Sequence, residues 1–171
     1  VIEHLARLIA RKIKKEVPNH HASTEVLEFS LSILINAAMI LISTFLISIF
    51  TGRIVETIVA LIAFPILRQV SGGFHLKTGM GCVLFTTILM TAISYSDFNN
   101  STIVVLGIIS LLLAIFYAPS GIENQSRIPE KYYPLLKVIS IFIISINFFI
   151  LSPVIASAFF VQTLTLIKLR R

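Results

Sequence analysis

Residues Leu27–Phe50 read LEFSLSILINAAMILISTFLISIF. After Glu28 the run holds no charge, and only scattered hydroxyls and Asn36 interrupt its hydrocarbon. As a helix its 24 residues reach about 36 Å, enough to cross a hydrocarbon core of about 30 Å. The surrounding composition agrees. The chain has 171 residues, 56% hydrophobic and 13% charged, with a mean hydropathy of +0.94. Soluble domains carry about twice that charged share. An integral membrane protein is expected.

Reading outward from this run, TGR (Thr51–Arg53) ends the first span. Further apolar runs cover Ile54–Val70, interrupted by Pro65, then Cys82–Tyr95, Thr102–Tyr117, Leu135–Leu151 and Val154–Leu169. SDFNNS, APSGIENQSRIPEKYYP and the Ser152–Pro153 pair separate them. Several are shorter than the ~20 residues of an ordinary span, which a thin bilayer or tucked-in loops would accommodate. Toward the N-terminus, residues 1–17 place Ile2, Leu5, Ile9 and Ile13 on one stripe. Arg7, Arg11, Lys12, Lys14 and Lys15 lie largely away from it. That pattern predicts an amphipathic helix on the membrane surface or packed on the protein's own face, ended by Pro18. No fixed-period repeat appears, and the basic start lacks a small-residue cleavage site. The expected fold is therefore all-α and single-domain over 1–171. It has an N-terminal amphipathic interfacial helix and a six-span polytopic membrane bundle over 27–169.

Six crossings put both termini on one side. Of the 14 basic residues all but Arg53 then fall on that side, which makes it cytosolic by the positive-inside rule. Joining the last two runs into one helix would move the basic tail outside. The net charge of +6 is explained by this flanking pattern, and no nucleic-acid partner is expected.

The chemistry concentrates in RQVSGGFHLKTGMGC, Arg68–Cys82, at the cytosolic face. It holds the only cysteine, one of four histidines and four of seven glycines. On one continuous helix His75 and Cys82 would stand about 10 Å apart along the axis, too far for a thiol–imidazole bond. Gly72 and Gly73 can stop the helix, Gly79 and Gly81 loosen the return, and Thr78 suits an N-cap. Cys82 would then open a helix whose free N–H groups favour a thiolate, with Arg68 and Lys77 adding positive potential. His75 would serve as base, and N–H groups near Gly72, Gly73 or Cys82 would hold an oxyanion. Ser71 is a weaker nucleophile candidate with His75, and its first reading is a helix-end or turn residue. Glu28 could reach His75 as an orienting group. Spacing alone leaves open the alternative of a buried structural cysteine and a loop histidine.

Other classes fall away. There is no H-E-x-x-H, and Asp97 is the sole aspartate, so a zincin or an intramembrane aspartate pair is excluded. The His20–His21 pair has no further ligand-type neighbours, and no metal or cofactor is expected. Asn36 suits an interhelical hydrogen bond, and Glu56 has Arg53 as a natural partner.

The segment resembles the R-x-x-[SA]-G-G-[YF]-H-x6-C pattern of the accessory gene regulator protein B (AgrB) family, with Arg68, Gly72, Gly73, His75 and Cys82 in place. ETIVALIAFPILRQ looks like the family's second span, and YAPSGIENQSRIP resembles its A-P-x-x-x-x-N segment. The similarity covers about Glu28 to Arg171. It implies a cysteine endopeptidase of the bacterial cell membrane with Cys82 as nucleophile and His75 as base. The implied substrate is an AgrD-like precursor peptide with an amphipathic leader and an acidic C-terminal tail, closed into a thiolactone or lactone ring. A homodimer in membrane lipid is also implied. Arg68 becomes a tail anchor or structural cap. Phe74 replaces the commoner tyrosine, and Leu76 stands where a small residue is usual. Ser120 and Gly121 stand where a valine and an acidic residue are frequent, with Glu123 and Asn124 close by. The competing reading is a non-enzymatic transporter or peptide-binding subunit, in which Asn36, Gln162 and Glu56 would converge on a path.

Overall fold

Short polar and glycine signals punctuate this chain, and the helices begin and end on them. The computed structural model describes residues 2–18, 21–73, 78–122 and 128–167. In order these form α1 (Ile2–Glu16), α2 (Thr24–Thr51), α3 (Ile54–Ser71), α4 (Gly79–Ser94), α5 (Asn100–Tyr117), α6 (Tyr133–Ile150) and α7 (Pro153–Leu164). A 3-10 turn, Glu130–Tyr132, leads into α6. Ser23 caps α2 by accepting the Val26 N–H, and Asn99 caps α5 by accepting that of Thr102. Gly52 closes α2 in the left-handed region at φ 69° and donates its N–H to Ser48 O. Leu151 at φ 55° and the Ser152 cap turn α6 into α7, with Pro153 at the first helical position. α3 runs unbroken through Pro65, contrary to the expected interruption. Pro65 is exposed there, and proline is tolerated in spanning helices.

Each of the six expected apolar runs contains a helix, and among the described residues four helical segments are long and apolar enough to cross a membrane: α2, α3, α5 and the Glu130–Ile150 stretch containing α6. α4, with 16 residues, and α7, with 12, are about 24 and 18 Å long and fall short of a ~30 Å core. α7 ends at Leu164 rather than near Leu169. Thr165 turns its hydroxyl back onto Gln162 O at 2.7 Å, and Leu166 and Ile167 continue in tight i→i−3 turns. α7 packs between α3 and α5 and buries Val154, Ala156, Ser157, Ala158, Phe159, Gln162 and Thr163. Long α2 buries only Thr44 and Ser48. Its lipid-type face, like that of α6, stays open: Phe50 is 89% and Phe149 90% exposed. The core joins Ala60, Ala63, Phe64 and Leu67 of α3 to Met90, Ile144 and Phe159.

α1 lies along α2 on an edge narrower than the expected stripe. Ile2, Ala6 and Ala10 are buried, while Leu5 and Leu8 remain exposed. The small alanines let the two helices approach, and Arg7 Nε meets Glu28 Oε1 at 3.0 Å. Lys14 Nζ donates to Ala22 O at 3.1 Å. The expected partner of Asn36 is missing: its Oδ1 is buried without a hydrogen bond among the described residues.

Candidate active site

α3 stops where the two glycines begin. Its last residue is Ser71, and Gly72 takes φ 75° and ψ −141° while its N–H still reaches Arg68 O. No residue with a Cβ fits there, because that atom would run into the backbone carbonyl of Ser120. Ser120 follows α5, and the two segments pair as a short parallel bridge. Gly73 N donates to Ser120 O at 2.7 Å, and Ser120 N donates to Ser71 O at 3.0 Å.

Beneath this turn lies Gln162, with no solvent exposure. Its Nε2 donates to Gly72 O at 2.7 Å and to Ser71 Oγ at 3.1 Å. Its Oε1 accepts from Arg68 Nη1 at 3.3 Å and from Thr165 Oγ1 at 3.4 Å. One amide thus uses both its oxygen and its nitrogen, as a buried polar group must. Arg68, partly buried, also lies over the Phe64 ring at 5.9 Å and within electrostatic reach of Cys82. Sequence reading placed Gln162 only on a conjectured polar path. A lone carboxamide in an apolar run does signal a satisfied buried contact, but its partners other than Thr165 are 90 to 94 residues away.

Cys82 is the fourth residue of α4, partly exposed, with Sγ 3.9 Å from Thr86 Oγ1. The expected break between Gly72 and Cys82 is therefore present: α3 ends before it and α4 begins at Gly79. His75 and Lys77, which complete the expected dyad and its positive flank, lie outside the described residues, as do Glu123 and Asn124.

The described residues sharpen four expected details. Thr78 holds the N-cap position of α4 but makes no side-chain cap bond. Glu3 of α1 supplies the acceptor instead, taking the Gly79 N–H at 3.1 Å. The N–H groups of Gly72, Gly73 and Cys82 themselves are engaged, by Arg68 O, Ser120 O and Thr78 O respectively. Near Cys82, the first-turn amides of Met80 and Gly81 have no carbonyl one turn back within the helix and suit an oxyanion. Ser71 is fully buried and its hydroxyl accepts from Gln162, so it is a helix-end residue and not an open nucleophile. Glu28 is held by Arg7.

A cleft of about 540 Å³ borders the bridge, lined among others by Tyr117, Ser120, Glu130, Tyr133 and Leu166. Among the described residues no group of three metal-ligating side chains occurs. Glu56 pairs with Arg53 at 3.5 Å at the start of α3, about 22 Å of helix away from the Gln162 cluster. The conjectured path through Asn36, Gln162 and Glu56 does not form.

Comparison with known proteins settles the family. The model for Accessory gene regulator B matches residues 6–168. The chain belongs to the AgrB family. Among its relatives, a putative AgrB-like protein of Clostridium perfringens (strain SM101 / Type A) is 27% identical, over 88% of this chain and 75% of that protein. A putative AgrB-like protein of Halalkalibacterium halodurans is 28% identical, over 92% and 80%. An accessory gene regulator protein B of Staphylococcus aureus (strain bovine RF122 / ET3-1) is 26% identical, over 65% and 61%. No solved structure matches. Within the AgrB family frame, the Gly72 turn, Arg68 and Cys82 gather at one end of the bundle, where the ends of α1, α3, α4, α5 and α7 meet.

Proposed function

We propose that this AgrB-family chain is a membrane cysteine endopeptidase that trims a quorum-sensing precursor and closes it into a ring. The observation that carries the reading is the placement of its single thiol. Cys82 stands in the first turns of α4, beyond a glycine-closed end of α3, with the Arg68 guanidinium within electrostatic reach.

In this mechanism Cys82 Sγ attacks the carbonyl carbon before the precursor's C-terminal tail. His75 takes the thiol proton and delivers it to the amine as the C–N bond breaks, and the tail leaves. A thiol or hydroxyl within the precursor then attacks the acyl-thioester. The new thiolactone or lactone bond forms as the Cys82 thiolate is expelled, and His75 takes the proton of the attacking group and returns it to Cys82. Exchange between thioesters is close to balanced, so ring closure depends on keeping water out and holding the internal nucleophile near the acyl carbon. Arg68 is suited to the tail's carboxylates. Its planar donor fork matches carboxylate geometry, and Gln162 holds it in place. The spans lie in the bacterial cell membrane, with the basic end of the bundle, both termini and the site on the cytosolic side.

The test is cleavage of a cognate precursor by purified wild-type and Cys82→Ala protein, with intact-mass detection of an acyl-enzyme. Wild type should cleave and trap the acyl adduct, and Cys82→Ala should do neither. Retained cleavage in Cys82→Ala would sink the reading.

A further inference from the structure

The α4 N-terminus is occupied by a residue from the far end of the chain. Glu3 Oε1 accepts the Gly79 N–H at 3.1 Å across 76 residues of sequence. The contact is close-fitting: a Cβ on Gly79 would stand 3.1 Å from Glu3 Oε1 and 3.4 Å from Ile2 Cδ1. Ile2 is itself 1% exposed, so the start of α1 is seated on the first turn of α4. Gly79 and Cys82 are three residues apart on that helix and share a face, about 4.5 Å apart along its axis.

We propose that Glu3 is a positioning residue for Cys82, whose carboxylate caps α4 and places a negative charge at the helix end where the thiolate forms. The proposal rests on reading Cys82 as the nucleophile. A helix N-terminus behaves as roughly half a positive charge, and an anion seated there takes up that field. Docking of α1 therefore does two things: it holds the first turn of α4 in register, and it opposes a second anion on the same turn. Among the described residues, the other charges at this end include Arg68 from α3, within electrostatic reach of Cys82, and Glu25 and Glu28 at the start of α2, where Glu28 is paired with Arg7 of α1; His75 and Lys77 lie outside the described residues. His4 also lies on α1, exposed. From α7 comes the neutral Gln162.

Cys82 is the only cysteine, so iodoacetamide labelling followed by intact mass reports this one thiol. Alkylation rate against pH would be measured at low salt for full-length wild type, Glu3→Gln, Glu3→Ala and Glu16→Gln. Glu3→Gln keeps an acceptor for Gly79 and removes the charge. Its profile should move to lower pH by about half a unit, with Gly79 amide exchange still protected. Glu3→Ala should show the same move together with faster Gly79 exchange. Glu16→Gln, at the opposite end of α1, should leave the profile in place. An unmoved Glu3→Gln profile, an equal move in Glu16→Gln, or full Gly79 protection in Glu3→Ala would each overturn the proposal. Retained precursor cleavage in Cys82→Ala would instead retire the peptidase reading and leave the Glu3 effect on alkylation standing.

Discussion

The two ends of the helical bundle are built on opposite principles. At the end where α2 turns into α3 and α6 into α7, most contacts close over three to five residues. Gly52 bonds back to Ser48, Arg53 meets Glu56, Asn99 caps at Thr102, and Asn147 exchanges two bonds with Ser152 at 3.1 Å each. Among the described residues, Ser96 with Ser157 and Arg53 over the Tyr95 ring reach further. At the Cys82 end such local closures, Gly72 on Arg68 and Thr165 on Gln162, are joined by contacts between residues 21 to 94 positions apart: Arg7 to Glu28, Glu3 to Gly79, Gln162 to Ser71, Gly72 and Arg68. Local closures set helix ends cheaply. Distant ones set the mutual position of side chains from several helices, which is what chemistry demands.

Substitutions at matched positions can break or sharpen this contrast. The largest effect is expected at the glycines. Gly72→Ala forces a Cβ into the Ser120 carbonyl at φ 75°. It should cost more than ~3 kcal/mol, seen as loss of the monodisperse folded species in detergent. Gly52→Ala, also at positive φ but facing open space, should cost about 1 kcal/mol. Equal losses at the two sites would erase the distinction. Next comes Gln162→Leu, which leaves Ser71 Oγ and Gly72 O buried without that donor. About 2 to 3 kcal/mol of thermal stability should go, against about 1 kcal/mol for Asn147→Ala at the local end. Glu56→Gln, which weakens a half-exposed pair with Arg53, should change stability by less than ~0.5 kcal/mol.

The smallest effect concerns acid. The Glu3 carboxylate accepts from its own N–H and then from that of Gly79, and both hold its pKa below the ordinary glutamate range. A carboxylate more acidic when folded than when unfolded contributes at neutral pH. That contribution fades only as pH falls below the ordinary range and through the folded value. Gly79 amide exchange should therefore stay slow at pH 6 to 7 and quicken, after correction for intrinsic rates, toward about pH 3. Undocking already at pH 6 would contradict the assignment.

The same contrast explains what could be read from the sequence. TGR, Ser152–Pro153, Gly72–Gly73 and the Arg53–Glu56 pair are local signals, and each appears where its chemistry predicts. Helix rise leaves two readings of His75 and Cys82, an interrupted helix or no dyad, and the local glycines permit the break that is present. Gln162 under the glycine turn and Glu3 on Gly79 were invisible, because nothing within a few residues of either reveals the partner. Hydropathy also treated α2 and α7 alike, although one faces outward along nearly its whole length and the other is enclosed. Periodicity likewise overstated the covered stripe of α1, since contact with α2 and the first turn of α4 selects Ile2, Ala6 and Ala10 as its seat.

The tight α6–α7 turn has a consequence for how the protein is made. α7 is about 18 Å long and carries Ser157, Gln162 and Thr163, so by itself it is a poor substrate for insertion into a bilayer. Its reciprocal Asn147–Ser152 bonds and the Leu151 turn tie it to long, apolar α6. The two helices therefore assemble as one hairpin, and α7 finds its place against α3 and α5. The contacts of Gln162 with Arg68, Ser71 and Gly72 exist only once α7 is seated there, so loosening the α6–α7 turn would be felt at the far end of the bundle.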